Sequence, residues 1–222
     1  KKSISTRTAK LSAYSKGEVP RYWDEALAGL SKRDRVLKKI IANYPRSVMT
    51  CRGEPFFTLA RAIVGQQISV KAAQSVWGKL MLAYPEFTPE KMVRARVTRM
   101  RTCGLSERKA EYIRDLAAHL AKGKIAPSTW AERHDDDIIN DLTQVKGIGR
   151  WTAEMFLMFN LLRADILPLG DIGLLNAIHL HYNDSEPMHL DDVQALAEKW
   201  RPWRSVATWF LWRSLDPIPV EY

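Results

Sequence analysis

The segment that decides the fold is Leu142-Thr-Gln-Val-Lys-Gly-Ile-Gly-Arg-Trp-Thr152, in the second half of the 222-residue chain. Apolar residues at helical spacing precede it, and the almost wholly apolar segment Ala153–Leu162 follows it. The two glycines beside Ile148 allow the backbone to turn tightly and to approach another surface closely. The pattern therefore predicts two helices joined by a hairpin, with Ile148 filling the gap between them.

The backbone of this hairpin is suited to hold a phosphate group. N–H groups at a helix N-terminus, assisted by the helix dipole, bind phosphate oxygens, and nearby Lys and Arg side chains add positive charge. We expect such contacts from Lys146, Gly147, Gly149, Arg150 and Thr152. They would position DNA without reading its sequence. The alternative is a plain corner between two helices whose glycines serve packing alone.

Apolar residues recur at helical spacing along the rest of the chain. One stripe runs over Val70–Met81 after the N-cap Ser69, and another runs over Ile113–Leu120 between the N-cap Ser106 and Gly123. No sustained alternation of period two indicates a sheet. The predicted fold class is all-α, with about ten short helices.

Composition and charge restrict the class of protein. The chain has 34 Lys and Arg residues against 25 Asp and Glu, a net charge of +9 that favours a polyanionic partner. No stretch approaches the ~20 apolar residues of a membrane span, and the basic segment 1–16 lacks the apolar run of a secretory signal. We expect 1–16 to be flexible, 17–222 to form one domain, and the protein to be an intracellular monomer that binds no membrane.

An acidic residue follows the hairpin by about twenty positions. Asp171 ends the loop Leu167-Pro-Leu-Gly-Asp171 and precedes a helical pattern over Ile172–Tyr182. By itself, an Asp between Gly and an apolar helical run is an N-cap.

The hairpin and Asp171 together resemble the signature of the helix-hairpin-helix DNA glycosylase superfamily. Four segments, occurring in order between about residue 20 and residue 215, look like the bacterial 3-methyladenine DNA glycosylase II family. They are Arg61-Ala-Ile-Val-Gly-Gln-Gln-Ile-Ser69, Gly104-Leu-Ser-Glu-Arg-Lys-Ala110, Gly149-Arg-Trp-Thr-Ala153 and Pro202-Trp-Arg-Ser-Val-Ala207. That family often has an additional N-terminal β-rich domain, and this chain resembles the compact, helical-only members. The resemblance also implies that the helices form two lobes that flank a DNA-binding cleft.

The resemblance implies that Asp171 is catalytic. A carboxylate can stabilise the oxocarbenium-like centre that forms as a base–sugar bond breaks, which we rank first, or it can orient or deprotonate the attacking water. Bifunctional members have a Schiff-base lysine two residues after the second hairpin glycine, where this chain has Trp151. A monofunctional glycosylase without lyase activity is therefore implied.

The resemblance also bears on metals and cofactors. Some members hold an iron–sulfur cluster on four C-terminal cysteines, but Cys51 and Cys103 both precede residue 104 and are expected to be structural thiols. No catalytic metal or organic cofactor is expected. A monovalent cation at the hairpin is implied, held by the backbone carbonyls of Thr143, Val145 and Gly147.

A pocket for the base is implied at Trp151, Met155 and Trp212. Indoles that stack on a base favour one made cationic by alkylation. The family often has a tyrosine where this chain has Met155, which bears on the range of substrates.

An enzyme that extrudes a nucleotide from DNA must fill the space left behind, and Gln67 matches the family's wedge position. The residues alone allow another interpretation, in which Gln66 and Gln67 are polar residues that begin an ordinary helix. We prefer this second interpretation for Gln66.

The function implied by the resemblance is hydrolysis of the N-glycosidic bond of alkylated bases such as 3-methyladenine in double-stranded DNA. This reaction starts base excision repair and would take place in the bacterial cytoplasm, at the nucleoid. Two alternatives remain open. One is a glycosylase for another lesion, such as uracil, ethenoadenine or hypoxanthine. The other is a non-catalytic DNA-binding module, against which Asp171 argues because a carboxylate facing the DNA backbone hinders binding.

Overall fold

The computed structural model describes residues 14–216, and most of the segment predicted to be flexible, residues 1–13, lies outside this range. Every regular element within it is a helix, so the predicted all-α class is confirmed. The helices are α1 (Trp23–Arg33), α2 (Arg35–Asn43), α3 (Pro55–Gly65), α4 (Val70–Ala83), α5 (Pro89–Met92), α6 (Val97–Thr102), α7 (Glu107–Ala121), α8 (Asp135–Thr143), α9 (Arg150–Phe159), α10 (Ile172–Tyr182), α11 (Leu190–Ala197) and α12 (Arg204–Leu215). Short 3-10 turns occur at Pro127–Glu132 and Glu198–Trp200.

The helices form two lobes, as predicted. In one lobe α1 and α2 pack on each other and on α12, which also packs on α10. In the other lobe α7 packs against α3, α5 and α6, and α4 packs against α3. The hairpin helices α8 and α9 contact each other, α9 contacts α3, and Phe159 of α9 contacts Trp209 and Trp212 of α12. Helix α9 therefore lies between the two lobes.

Asp34, the N-cap of α2, joins distant parts of the first lobe. Its carboxylate accepts hydrogen bonds from the amides of Val36 and Leu37, from Tyr182 Oη at 2.8 Å and from Trp200 Nε1 at 2.8 Å. Lys199 Nζ lies 3.0 Å away. Burial acts to raise the pKa of Asp34, but the hydrogen bonds from Trp200, Tyr182 and Lys199 outweigh burial and hold this pKa below its usual value.

The predicted helix ends are mostly confirmed. Ser69 and Ser106 cap α4 and α7 through their hydroxyl groups, and Gly123 lies just beyond α7 with φ +67°. Helix α9 ends at Phe159, three residues before the predicted end, and the backbone at Leu162 has φ +51°. A right-handed helix cannot include that conformation.

Residues 17 and 18 form backbone hydrogen bonds with the segment that precedes α3. The amide of Gly17 donates to the carbonyl of Cys51 at 2.8 Å, and the amide of Cys51 donates to Glu18 O at 2.9 Å. Cys51 and Cys103 are both buried. None of the described helices is long and apolar enough to cross a membrane.

Candidate active site

Asp171 is the N-cap of α10, and its carboxylate is held by three N–H groups. Oδ1 accepts hydrogen bonds from the amide of Leu174 at 2.6 Å and from Trp212 Nε1 at 2.8 Å, and Oδ2 accepts one from Trp151 Nε1 at 2.8 Å. The residue is 7% exposed. Among residues 14–216, no Lys, Arg or His side chain forms an ion pair with it. The carboxylate is thus fixed in orientation while its charge has no neighbouring cation.

A cavity of about 420 Å³ lies between α3, the start of α4 and α9. Trp151 and Met155, both predicted for the base pocket, line it. Trp151 also donates to Asp171, so one indole connects the cavity wall with the carboxylate. Trp212, the third predicted residue, is not among the lining residues. Its ring instead stacks on Phe159, with centroids 6.0 Å apart, and donates to Asp171.

Two arginines that the sequence analysis did not single out also line the cavity, Arg52 and Arg61. The guanidinium carbon of Arg52 lies 4.2 Å from the centroid of the Phe159 ring. The expected pair of indoles stacked on a cationic base is therefore not found, because only Trp151 of the two lines the cavity. Guanidinium groups repel a cationic base and can donate hydrogen bonds to a neutral one.

The hairpin itself is as predicted. Residues Gln144–Gly149 connect α8 to α9, and Ile148 is 4% exposed between the helices. Gly147 has φ +85°, and a Cβ placed there would lie 2.1 Å from Cδ2 of Tyr112. A Cβ at Gly149 would meet no heavy atom within 4 Å. The first glycine therefore allows a close contact within the protein, and the second leaves the outer surface open.

Some of the hairpin amides expected to face outward have acceptors inside the protein. The amide of Lys146 donates to Asp115 Oδ2 at 2.9 Å, and that of Ile148 donates to Val145 O at 3.1 Å. No side chain caps the N-terminus of α9 at Gly149. The open part of the hairpin backbone is thus the region around Gly149 and the first turn of α9.

The predicted phosphate-binding side chains lie in different surroundings. Lys146 is exposed beside Gly149. Arg150 is paired with Glu154 at 3.0 Å and Asp136 at 3.4 Å, which offsets its charge. Thr152 is 9% exposed and lines the cavity, so its side chain is not on the outer surface of the hairpin.

Glu154 was not singled out from the sequence, although it lies three residues after Trp151. It is 5% exposed, and burial raises its pKa despite the opposing effect of Arg150. A charged residue inside an otherwise apolar helical segment is the sequence feature that could have indicated Glu154.

The three carbonyl groups implied to hold a cation lie in the hairpin region. Val145 O accepts the amide of Ile148, and Gly147 O accepts a hydrogen bond from Gln66 Nε2 at 2.8 Å. A carbonyl oxygen has two lone pairs, so these contacts leave one on each group. Carbonyl oxygens are ligands that a hard cation accepts, and a monovalent cation at Thr143, Val145 and Gly147 stays a prediction.

The loop Gln66–Ser69, between α3 and α4, carries the predicted wedge residue. The interpretation that Gln66 and Gln67 begin a helix is wrong, because Ser69 caps α4 and the helix starts at Val70. Gln67 has φ +57°, is exposed and lines the cavity. Ile68 next to it is 41% exposed. This loop therefore projects from the protein beside the cavity.

The sequence and the structure were compared with known proteins. A family model described as "HhH-GPD superfamily base excision DNA repair protein" matches residues 60–202, a range that includes the hairpin and Asp171. The chain belongs to this superfamily. Trp212 and Arg52 lie outside the part of the chain matched by the HhH-GPD model.

Individual HhH-GPD relatives are similar over most of the chain. DNA-3-methyladenine glycosylase 1 of Schizosaccharomyces pombe is 34% identical over 195 residues, which are 85% of this chain and 84% of that protein. The crystal structure of DNA-3-methyladenine glycosidase from Bacillus halodurans is similar with a TM-score of 0.78 at 31% identity, covering 86% of this chain and 89% of the other. The S. pombe 3-methyladenine DNA glycosylase in complex with abasic DNA gives a TM-score of 0.72 at 30% identity, covering 88% and 100%.

Proposed function

We propose that this HhH-GPD protein is a monofunctional DNA glycosylase that hydrolyses the N-glycosidic bond of alkylated bases such as 3-methyladenine in double-stranded DNA. The main observation is the carboxylate of Asp171, held by the indole of Trp151 at the wall of a 420 Å³ cavity. Small-molecule sites have volumes of roughly 300–1,000 Å³. The names of the relatives at 30–34% identity support 3-methyladenine as a substrate.

The chemistry requires the target nucleotide to leave the base stack and enter the cavity. The bond between the base and C1′ breaks with its electron pair leaving on the base, and C1′ becomes cationic. Asp171 stabilises this cation because its charge has no other cationic partner among the described residues. Water then adds to C1′ and loses a proton, which leaves an abasic site. The indole donors of Trp151 and Trp212 fix the carboxylate before the reaction begins.

The hairpin positions the DNA backbone. Lys146 supplies charge at an exposed position, and the open surface at Gly149 allows a phosphate to approach the first turn of α9. Gln67 fills the space left by the extruded nucleotide. Trp151 occupies the position of the Schiff-base lysine of bifunctional members, and an indole nitrogen is not a nucleophile, so no strand cleavage follows. A monomeric state and a bacterial cytoplasmic location complete the proposal.

The test is release of free base from methylated duplex DNA by the wild-type protein and by Asp171→Asn, with DNA affinity measured in parallel. We expect wild type to release 3-methyladenine and the variant to be about 100-fold slower or worse, because one preorganised electrostatic group is lost. Equal release by both proteins would make Asp171 a helix cap. No release from any lesion, with DNA still bound, would support the binding-module alternative.

A second candidate is a glycosylase for a neutral lesion such as hypoxanthine or ethenoadenine. One observation favours it, namely that Arg52 and Arg61 line the cavity and suit a neutral base with hydrogen-bond acceptors. Base release from duplexes that contain each lesion separately distinguishes the two candidates.

A further inference from the structure

Helix α7 holds the Gln66–Ser69 loop through Lys109. Lys109 Nζ donates to the carbonyl of Gln66 at 2.6 Å and to that of Val64 at 2.8 Å. Among the described residues no carboxylate pairs with this ammonium group, and burial lowers its pKa. The charge of Lys109 thus satisfies backbone carbonyl groups at the end of α3.

The same helix supports the hairpin. The ring of Tyr112 packs where Gly147 has no side chain, and Asp115 Oδ2 accepts the amide of Lys146 at 2.9 Å. Residues 109, 112 and 115 are spaced by three and therefore lie along one side of α7. Helix α7 is thus a common support for the hairpin and the loop.

One side chain links the loop directly to the hairpin. Gln66 Nε2 donates to the carbonyl of Gly147 at 2.8 Å, across 81 positions of sequence. The adjacent Gln67 has φ +57°, a left-handed conformation that is unfavourable for a non-glycine residue. Such a conformation persists only when its surroundings impose it. Gln66, the residue immediately before Gln67, is held by its contacts with Gly147 and Lys109. We attribute the left-handed conformation of Gln67 to these contacts.

We propose that Gln66 is a positioning residue that fixes the distance between the phosphate held at the hairpin and the wedge Gln67. This inference rests on the proposed function. A wedge must enter the duplex at a defined place relative to the backbone contacts, and an element already held in place needs no reordering when DNA binds. Loss of the link therefore makes extrusion of the nucleotide harder and leaves the chemistry at Asp171 unchanged.

The test compares single-turnover base release from two substrates that differ in the cost of extrusion. One is a fully paired duplex that contains the lesion, and the other has the same lesion in a short unpaired bubble of the same duplex. The variant Gln66→Met keeps the length of the side chain and removes its donor. Gln144→Met is the matched control, since within residues 14–216 Gln144 Nε2 donates to Asn140 O of the preceding helix α8, at 3.4 Å, and to no other group.

For Gln66→Met we expect release from the paired duplex to fall about fivefold to tenfold, the effect of one lost hydrogen bond, while release from the bubble stays within about twofold. Gln66→Glu, which keeps a polar side chain without a donor, should show the same change in ratio. Thermal unfolding verifies that each variant is folded. An equal loss on both substrates, an unchanged ratio, or the same ratio change in Gln144→Met would overturn the proposal. Absence of base release by wild type would instead refute the proposed function, and the inference with it.

Discussion

Asp34 and Asp171 both cap the first turn of a helix, and both accept indole N–H groups at 2.8 Å. Their exposed fractions are similar, 3% and 7%. Asp34 also has the ammonium of Lys199 at 3.0 Å and the hydroxyl of Tyr182. Asp171 has no cationic partner among residues 14–216, and its donor Trp151 lines the cavity.

We interpret the difference as one between a structural carboxylate, Asp34, and the carboxylate proposed to act in catalysis, Asp171. A buried carboxylate whose donors hold its pKa below the usual value, as at Asp34, adds to the stability of the fold at neutral pH. A buried charge without a counter-charge lowers stability and can stabilise a cation that forms beside it. Capping and burial, which the two residues share, do not make this distinction.

The largest expected effect is on catalysis by Asp171→Asn. Base release should fall about 100-fold or more, whereas the free energy of unfolding should be unchanged or higher because an uncompensated charge is removed. Base-release kinetics and urea unfolding measure the two quantities. A variant that unfolds more easily and keeps its activity would reverse the roles assigned to the two aspartates.

The opposite result is expected for Asp34→Asn. Removing the charge of Asp34 leaves the exposed Lys199 without its counter-charge and weakens the contacts with buried Trp200 and with Tyr182. The free energy of unfolding should fall by about 1–3 kcal/mol, the cost of leaving buried donors poorly satisfied. Base release per folded molecule should stay at the wild-type level. A loss comparable to that of Asp171→Asn would contradict the structural role assigned to Asp34.

The stabilisation by Asp34 should depend on pH. Its pKa is held below its usual value because the hydrogen bonds outweigh the effect of burial. A lowered folded-state pKa gives a stabilisation that is complete above the unfolded pKa of about 3.9 and lost as the pH falls through the folded-state value. The difference in unfolding free energy between wild type and Asp34→Asn should therefore be constant near neutral pH and shrink below about pH 4. Urea unfolding at pH 7 and pH 3 tests this, and a difference that grows on acidification would contradict it.

The smallest expected effect is on the choice between damaged bases in the cavity. Arg52→Met removes a cationic donor from the cavity wall. Release of hypoxanthine should fall about tenfold, the effect of one hydrogen bond from a charged group, while release of 3-methyladenine should not fall. Arg52→Lys keeps the charge and should be intermediate. Equal losses for both lesions would indicate that Arg52 supports Phe159 and does not select the base.

The hairpin and its surroundings show which features of this protein can be predicted from sequence patterns and which cannot. Ile148, Gly147 and the N-cap at Asp171 lie where the pattern predicts them. Two of the side chains predicted to bind phosphate have other surroundings in the structure. Arg150 pairs with two carboxylates, and Thr152 lines the cavity. Gln66, interpreted as a plain helix residue, forms a link to the hairpin. The contacts of Arg150 with Asp136 and of Gln66 with Gly147 each join two different elements of the fold.

The sequence by itself determined the all-α class, the hairpin and the helix caps, because helical periodicity and capping act among residues only a few positions apart. The choice of Asp171 as the candidate catalytic carboxylate rested on the family resemblance. It could also have indicated Asp34 as a helix cap, since this residue precedes an amphipathic helix. Only the tertiary structure brought Trp200 to Asp34 across 166 positions and Gln66 to Gly147 across 81. It likewise placed Lys199 beside one aspartate and no cation beside the other, because the charge around a buried group depends on how the helices pack together.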